Sequence, residues 1–309
     1  MTTNTHPILV VIGNELRTLA REKTFVLLMA IFFVMTLFSV YIGWSTRTTT
    51  FAIYDATVAV LQASGAAHLP PNPILGVSPL MVFSNLVIYV LLVGALLSIV
   101  IGHRSFIRER KSGIIPLVFV RKVTKGQYVT GKLLGIGIAL LAIVLAAFLV
   151  SDVSVLLVPA LHLSLAEFFR LSGLYVVAFL YLALFATLGF FFAVRMPTES
   201  SALFAPIMVW VAAVFVLPEL ATGQNPVALL NPITLAQAVP TPSAFFTALH
   251  PLIAPFSVGQ FFTQSAFQFL TGGGHVAGEL TGLIVYLGIA CTLSMYAVRS
   301  YSTTSDSLS

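Results

Sequence analysis

The segment Arg104–Lys132, RSFIRERKSGIIPLVFVRKVTKGQYVTGK, decides how the chain is read. It carries eight of the fifteen basic residues: Arg104, Arg108, Arg110, Lys111, Arg121, Lys122, Lys125 and Lys132. Long apolar runs flank it, Leu80–Gly102 before and Leu133–Val150 after. A basic connection between two stretches of membrane-spanning length is in the first place a topology signal. This one is also long and mixed, because Phe106, Ile107, Ile114, Ile115, Leu117, Val118 and Phe119 interleave with the charges. The pattern predicts short amphipathic helices at a membrane surface, presenting Arg and Lys outward and broken at Gly113 and Pro116. Residues 103–132 therefore read as a cytoplasmic docking segment, more than a charge patch near anionic lipid.

Composition identifies the outer solvent. Apolar residues make up 58% and charged residues 8% of the 309, with a mean hydropathy of +1.02. Soluble domains carry roughly 25% charged residues, and this chain has too few to coat a water-facing exterior. Lipid must surround most of it. The net charge of +5 does not point to nucleic acid, because the basic residues sit between the apolar runs and at their ends. The single cysteine, Cys291, lies inside an apolar run; it can form no intrachain disulfide and reads as a small buried residue.

Six apolar stretches have about the twenty residues that cross a hydrocarbon core. They lie near 25–44, 80–102, 133–150, 171–194, 201–217 and 280–298. The expected fold is an all-α integral membrane protein, with 1–309 forming a single transmembrane domain. Residues 8–23, ILVVIGNELRTLAREK, have the spacing of a helix with one wet face. They read as an interfacial amphipathic helix; a plain extension of the first span is the alternative. No small-residue cleavage site follows the first span, so no removed signal peptide is expected. Ser45–Pro79 reads as a loop. Residues 218–278 read as an outer loop without Asp, Glu, Lys or Arg between Glu219 and Glu279. Its apolar, proline-broken part, Ser243–Gly274, predicts short helices on the membrane face, with a re-entrant segment as the alternative.

With the N-terminus inside, the inner segments hold Arg17, Arg21, Lys23, the eight residues of the docking segment, Arg195 and Arg299. The outer segments hold Arg47 and Arg170. That asymmetry places both termini in the cytoplasm of a multi-pass inner or plasma membrane protein.

The spans contain no Asp, Glu, Lys or Arg, and the two halves show no internal repeat. Both features argue against an ion-coupled carrier. Energy for uphill transport would have to enter from another chain. Gly126–Lys132, GQYVTGK, fits G-x-x-x-x-G-K, but Leu133 stands where a nucleotide loop needs Ser or Thr. No catalytic residues are assigned. His68, His162, His250 and His275 lack metal-ligand spacing and read as loop or interfacial histidines. Asp152, Glu167, Glu219 and Glu279 flank spans rather than forming a catalytic pair. No cofactor or metal is expected in this chain, and no cluster supports an enzyme acting on lipid.

The docking segment resembles that of the permease subunits of type-2 ABC exporters. These carry E-x-x-x-G-T-x-E-x-L-L after the second span, then P-V-S-R, then G-K opening the third. Glu109, Gly113, Thr124, Gly131 and Lys132 match, with Lys125 in the place of the basic residue. Ile114 replaces the Thr, Pro116 the second acid, and Lys122 the Pro. Asn231-Pro232 in LLNPITLAQ matches a further family feature. In plan the chain is similar to the permease of the nitrous-oxide-reductase maturation transporter.

The resemblance implies a permease subunit that pairs into a dimer, as a homodimer or related heterodimer, and binds two copies of a cytoplasmic ATPase holding the ATP and magnesium. It implies that Glu15, Arg17, Arg108, Glu109, Arg110, Lys111, Gly113, Thr124 and Lys125 couple to that ATPase. It places the translocation path beside the second and fifth spans, with Ser84, Asn85, Ser98, Pro206 and Trp210 as candidates. The sparse polarity of those spans favours a lipid-like or amphipathic cargo. The alternative function is a non-transporting membrane anchor or regulatory subunit, which would need the docking segment but no path.

Overall fold

The computed structural model describes residues 7–65, 68–72, 75–120, 123–158, 163–218, 244–274 and 276–301. Arg121, Lys122, His162, Glu219, Asn231, Pro232 and His275 lie outside the described residues. Among the described residues there is no strand, and six helices are long and apolar enough to cross a membrane. The expected all-α membrane fold is what forms.

Helix α1 (Pro7–Arg21) leads through Glu22 into α2 (Lys23–Ala63). The second span, α3, is a composite running Pro79–Lys111. It opens with a 3-10 turn (Pro79–Phe83), becomes α-helical, widens into a π-turn at Val90–Gly94, and returns to α-helix at Ala95. Short α4 (Ile114–Val120) follows, then α5 (Lys125–Leu157) and α6 (Leu165–Arg195). The fifth span, α7 (Glu199–Val216), ends in a second π-turn, Ala212–Val216. Helices α8 (Ala244–Ile253), α9 (Val258–Thr271) and α10 (Ala277–Ser300) complete the fold.

Local chemistry explains the ends. Thr124 caps α5 and Ser164 caps α6, each with a reciprocal capping box, to Gln127 and Glu167 respectively. Gly113, at φ +65°, makes the left-handed turn that stops α3 and frees α4 to leave in a new direction. Pro116 does not break the segment; it sits in the first turn of α4, where its missing N–H costs nothing.

The core is the crossing of α3 and α6. A methyl added at Gly102 would overlap the Ala186 carbonyl, and one at Gly189 would overlap that of Ile99. In lipid, helices gain little from burying apolar surface, so close backbone approach at small residues supplies the packing. Helix α6 is buried along most of its length, from Leu171 through Tyr181 to Phe190.

Two elements differ from the sequence expectation. Ser45–Ala63 is helix rather than loop, so α2 is 41 residues long. At about 1.5 Å per residue it spans roughly 60 Å, twice a hydrocarbon core. Helix α9 does not lie on the membrane face. Phe262, Ala266 and Leu270 are fully buried, and Phe262 stacks on Tyr181 at 4.5 Å in the middle of α6.

Candidate functional site

The end of the bundle that carries the basic segment brings together residues far apart in sequence. Helix α1 lies across the start of α5. Gly131 makes room for Val11, and Gly135 for the stem of Glu15. Glu15 and Leu19, one turn apart, form the buried edge of α1. Leu9 and Val10 on its other side are exposed.

Beneath α1 sits an ion network. The Lys132 ammonium donates to Glu15 Oε2 and Glu109 Oε1, each at 2.5 Å, and to the Ser105 carbonyl at 3.1 Å. Its three protons therefore have three acceptors. The Tyr128 hydroxyl donates to Glu109 Oε2 at 2.6 Å. Arg108 donates to Glu15 at 3.3 Å and to Glu22 at 2.5 Å. The side chains of Glu15, Glu109 and Lys132 are 0%, 8% and 1% exposed. Three elements, α1, the end of α3 and the start of α5, are thus locked to one ammonium group.

The G-x-x-x-x-G-K match is explained by this joint. Gly131 and Lys132 lie inside a helix, one seating α1 and the other holding the network. Neither belongs to a phosphate loop.

Other basic residues of the segment also hold neighbouring elements together, while Arg104 and Lys111 keep the outward exposure that the sequence predicts. Arg110 donates to the carbonyls of Met196 and Pro197, both at 2.8 Å, tying α3 to the end of α6. Lys111 pairs with Glu199 at the start of α7. Lys125 donates to the carbonyls of Arg299 and Tyr301 at 3.1 and 2.8 Å, closing the end of α10. Thr124 is the α5 cap, and Gly113 is the turn. Arg17 stays exposed on α1.

Beside these exposed charges, this end also presents apolar side chains outward. On α4, Ile115 is buried, whereas Ile114, Leu117 and Val120 are 44%, 66% and 86% exposed. Between α4 and α1 runs an open groove of about 610 Å³, with Leu9, Val10, Leu117 and Val118 on its walls, Arg17 on its rim, and Tyr128 and Lys132 at its floor. Charge asymmetry in the sequence could not show the network, because Glu15, which pairs with both Arg108 and Lys132, lies 93 and 117 residues away from them. The acidic residues of residues 8–23 were the available signal: Glu15 faces the buried side of an otherwise wet helix.

The five path candidates separate. Ser84 and Asn85 line an open cleft at the far end of the bundle, between α2 and α3. Ser98, Pro206 and Trp210 are buried in the chain's own packing. Trp210 has a specific contact. Its Nε1 donates to the Leu91 carbonyl at 3.2 Å, and the Tyr181 hydroxyl donates to the same oxygen at 3.0 Å. Leu91 lies in the π-turn of α3, where the wider winding disturbs the regular hydrogen-bond ladder. The second, fourth and fifth spans therefore meet at one carbonyl. Tyr181 was not singled out from sequence, since a tyrosine inside an apolar span gives no sign of its partner.

Among the described residues no group of three His, Cys, Asp or Glu could hold a metal ion.

The comparisons agree with the geometry. No curated protein matches the sequence. The family model described as ABC-2 family transporter protein matches residues 9–300, nearly the whole chain. With six apolar helices and a buried ionic joint at their basic end, the chain belongs to the type-2 ABC permease family and is a membrane subunit of an ABC transporter.

Proposed function

We propose that the chain forms the translocation path of an ATP-driven exporter, working as a pair of permeases coupled to two copies of a separate cytoplasmic ATPase. The basic end of the bundle is then the cytoplasmic end, as the positive-inside rule requires. The observation that carries the reading is the Glu15–Lys132–Glu109 network, which makes α1, α3 and α5 one rigid body with α4 projecting from it. A push delivered to α4 from outside the membrane would move α3 and α5 together. A loosely hinged surface loop would absorb it.

On this reading the ATPase seats an apolar surface in the groove between α1 and α4, with Leu117 and Val120 as contacts. The charges Arg108, Arg110 and Lys111 act one step behind, holding the lever rigid. The outer apolar face of α7, including Phe204 and Met208 at 64% exposure each, is the surface offered to the second permease copy.

The test is co-expression with ABC ATPases from the same genome, followed by affinity purification. The expected result is a stable complex in which ATP turnover belongs to the partner. Turnover by the isolated chain, or failure of any ATPase to co-purify, would sink the proposal.

A further inference from the structure

At the far end of the bundle, the two basic residues that the sequence places there, Arg47 and Arg170, converge on one cleft. The cleft is about 300 Å³, open on one side, and lies between α2 and α3. Thr46, Arg47, Ser78, Ser84 and Asn85 line it, with no carboxylate among its lining residues. Arg170 stands behind it. Its guanidinium is fixed by the carbonyls of Phe269 and Leu270 at the end of α9 and donates to Ser78 Oγ at 3.2 Å. Arg47 is held differently. It lies 5.9 Å over the Phe51 ring, and among the described residues no acid pairs with it. The carboxamide of Asn85, half-buried, makes no hydrogen bond to a described residue. A cleft in a membrane helix pair with a guanidinium, hydroxyls, an uncommitted carboxamide and no acid suits an anion.

We propose that this cleft binds the phosphate or carboxylate headgroup of an anionic amphiphile in the leaflet at that end of the protein. Arg47 supplies the charge and Asn85 the orienting donor. The walls above and below are apolar, with Val77 exposed beside the opening and Met81 and Val82 behind it, so an acyl chain can lie along α2 while its headgroup enters. The site goes beyond ATPase coupling. It concerns which molecules this membrane subunit holds at the end opposite its motor.

A surface arginine alone would reach for headgroups without selectivity. The distinguishing feature is dependence on Asn85. Native mass spectrometry of the full chain, purified in detergent and titrated with phosphatidylglycerol, phosphatidylcholine or inorganic phosphate, separates the cases. The expected result is preferential retention of phosphatidylglycerol. Arg47→Gln and Asn85→Leu should each weaken it about tenfold, the size of one lost charge-assisted hydrogen bond, and Arg47→Lys should keep most of it. Competition by inorganic phosphate at Arg47 would support the anion chemistry and assign it to free anions as well as lipid. Equal retention of both lipids overturns the proposal, as does an Asn85→Leu variant that binds like wild type. The readout needs no ATPase, so it stands or falls apart from the coupling proposed above.

Discussion

Lys132 is the residue on which the basic end depends. Its ammonium is desolvated and held by two carboxylates and a carbonyl. A buried ion pair adds little net stability compared with an apolar replacement, but removing one partner leaves the others buried and uncompensated. Lys132→Met should therefore destabilise the chain by about 3–5 kcal/mol. Replacing the set together, with Glu15→Leu, Glu109→Leu, Lys132→Met and Tyr128→Phe, should recover most of that loss, since Arg108 keeps Glu22. Thermal unfolding in detergent checks both, and a single variant as stable as wild type would show that the network is not holding the joint. The sequence could place Lys132 in a family pattern and count its charge. It could not show that the charge points inward, because burial is set by a helix more than a hundred residues upstream.

At the scale of elements, hydropathy made the six spans legible because each is a continuous apolar run. The second half of α2 was hidden for the opposite reason. Ser45–Thr50 is polar and lacks a periodic apolar face, so it reads as loop. It stays helical because neither Gly nor Pro interrupts the chain between Trp44 and Ser64, and its threonine hydroxyls find acceptors on the preceding turn. Thr46 bonds to Ile42, Thr50 to Thr46 and Thr57 to Ile53, all at 2.8–2.9 Å. The π-turn of α3 was hidden too, since no residue type marks it. Its Leu91 carbonyl gives a prediction. Tyr181→Phe alone should cost about 0.6 kcal/mol, the usual scale of a hydrogen bond between membrane helices, and Trp210→Phe should cost more, because it also leaves a void where the buried indole packed. The double variant should cost more than the sum, because only then is the carbonyl left without either donor. A double-mutant cycle on unfolding free energy measures this; strict additivity would argue against a shared acceptor. At the α3–α6 crossing, Gly102→Leu should prevent the native approach of the two backbones. It should show as loss of folded, monodisperse protein, whereas a leucine at Gly137, where nothing lies within 4 Å, should be tolerated.

The whole molecule is a bundle with two unlike ends. At one end, Arg108, Arg110, Lys111, Lys125 and Lys132 stitch elements together: α1 to α3 and α5, α3 to α6 and α7, α5 to α10. That end also leaves the apolar tip of α4 exposed, beside Arg17, Arg104 and Lys111. The absence of Asp, Glu, Lys and Arg from the six apolar runs was visible in the sequence and argued against ion-driven mechanisms. The stitching was not visible, since each bond joins elements whose neighbours only the fold decides. If the bundle is a rigid lever moved through α4, docking and rigidity must be separable by mutation. The direct measurement compares Leu117→Asp/Val120→Asp with wild type for ATPase association and for the midpoint of thermal unfolding. The prediction is an unchanged midpoint and at least a tenfold loss of association, about 1.4 kcal/mol. A variant that unfolds like wild type and still binds and stimulates the ATPase normally would contradict it.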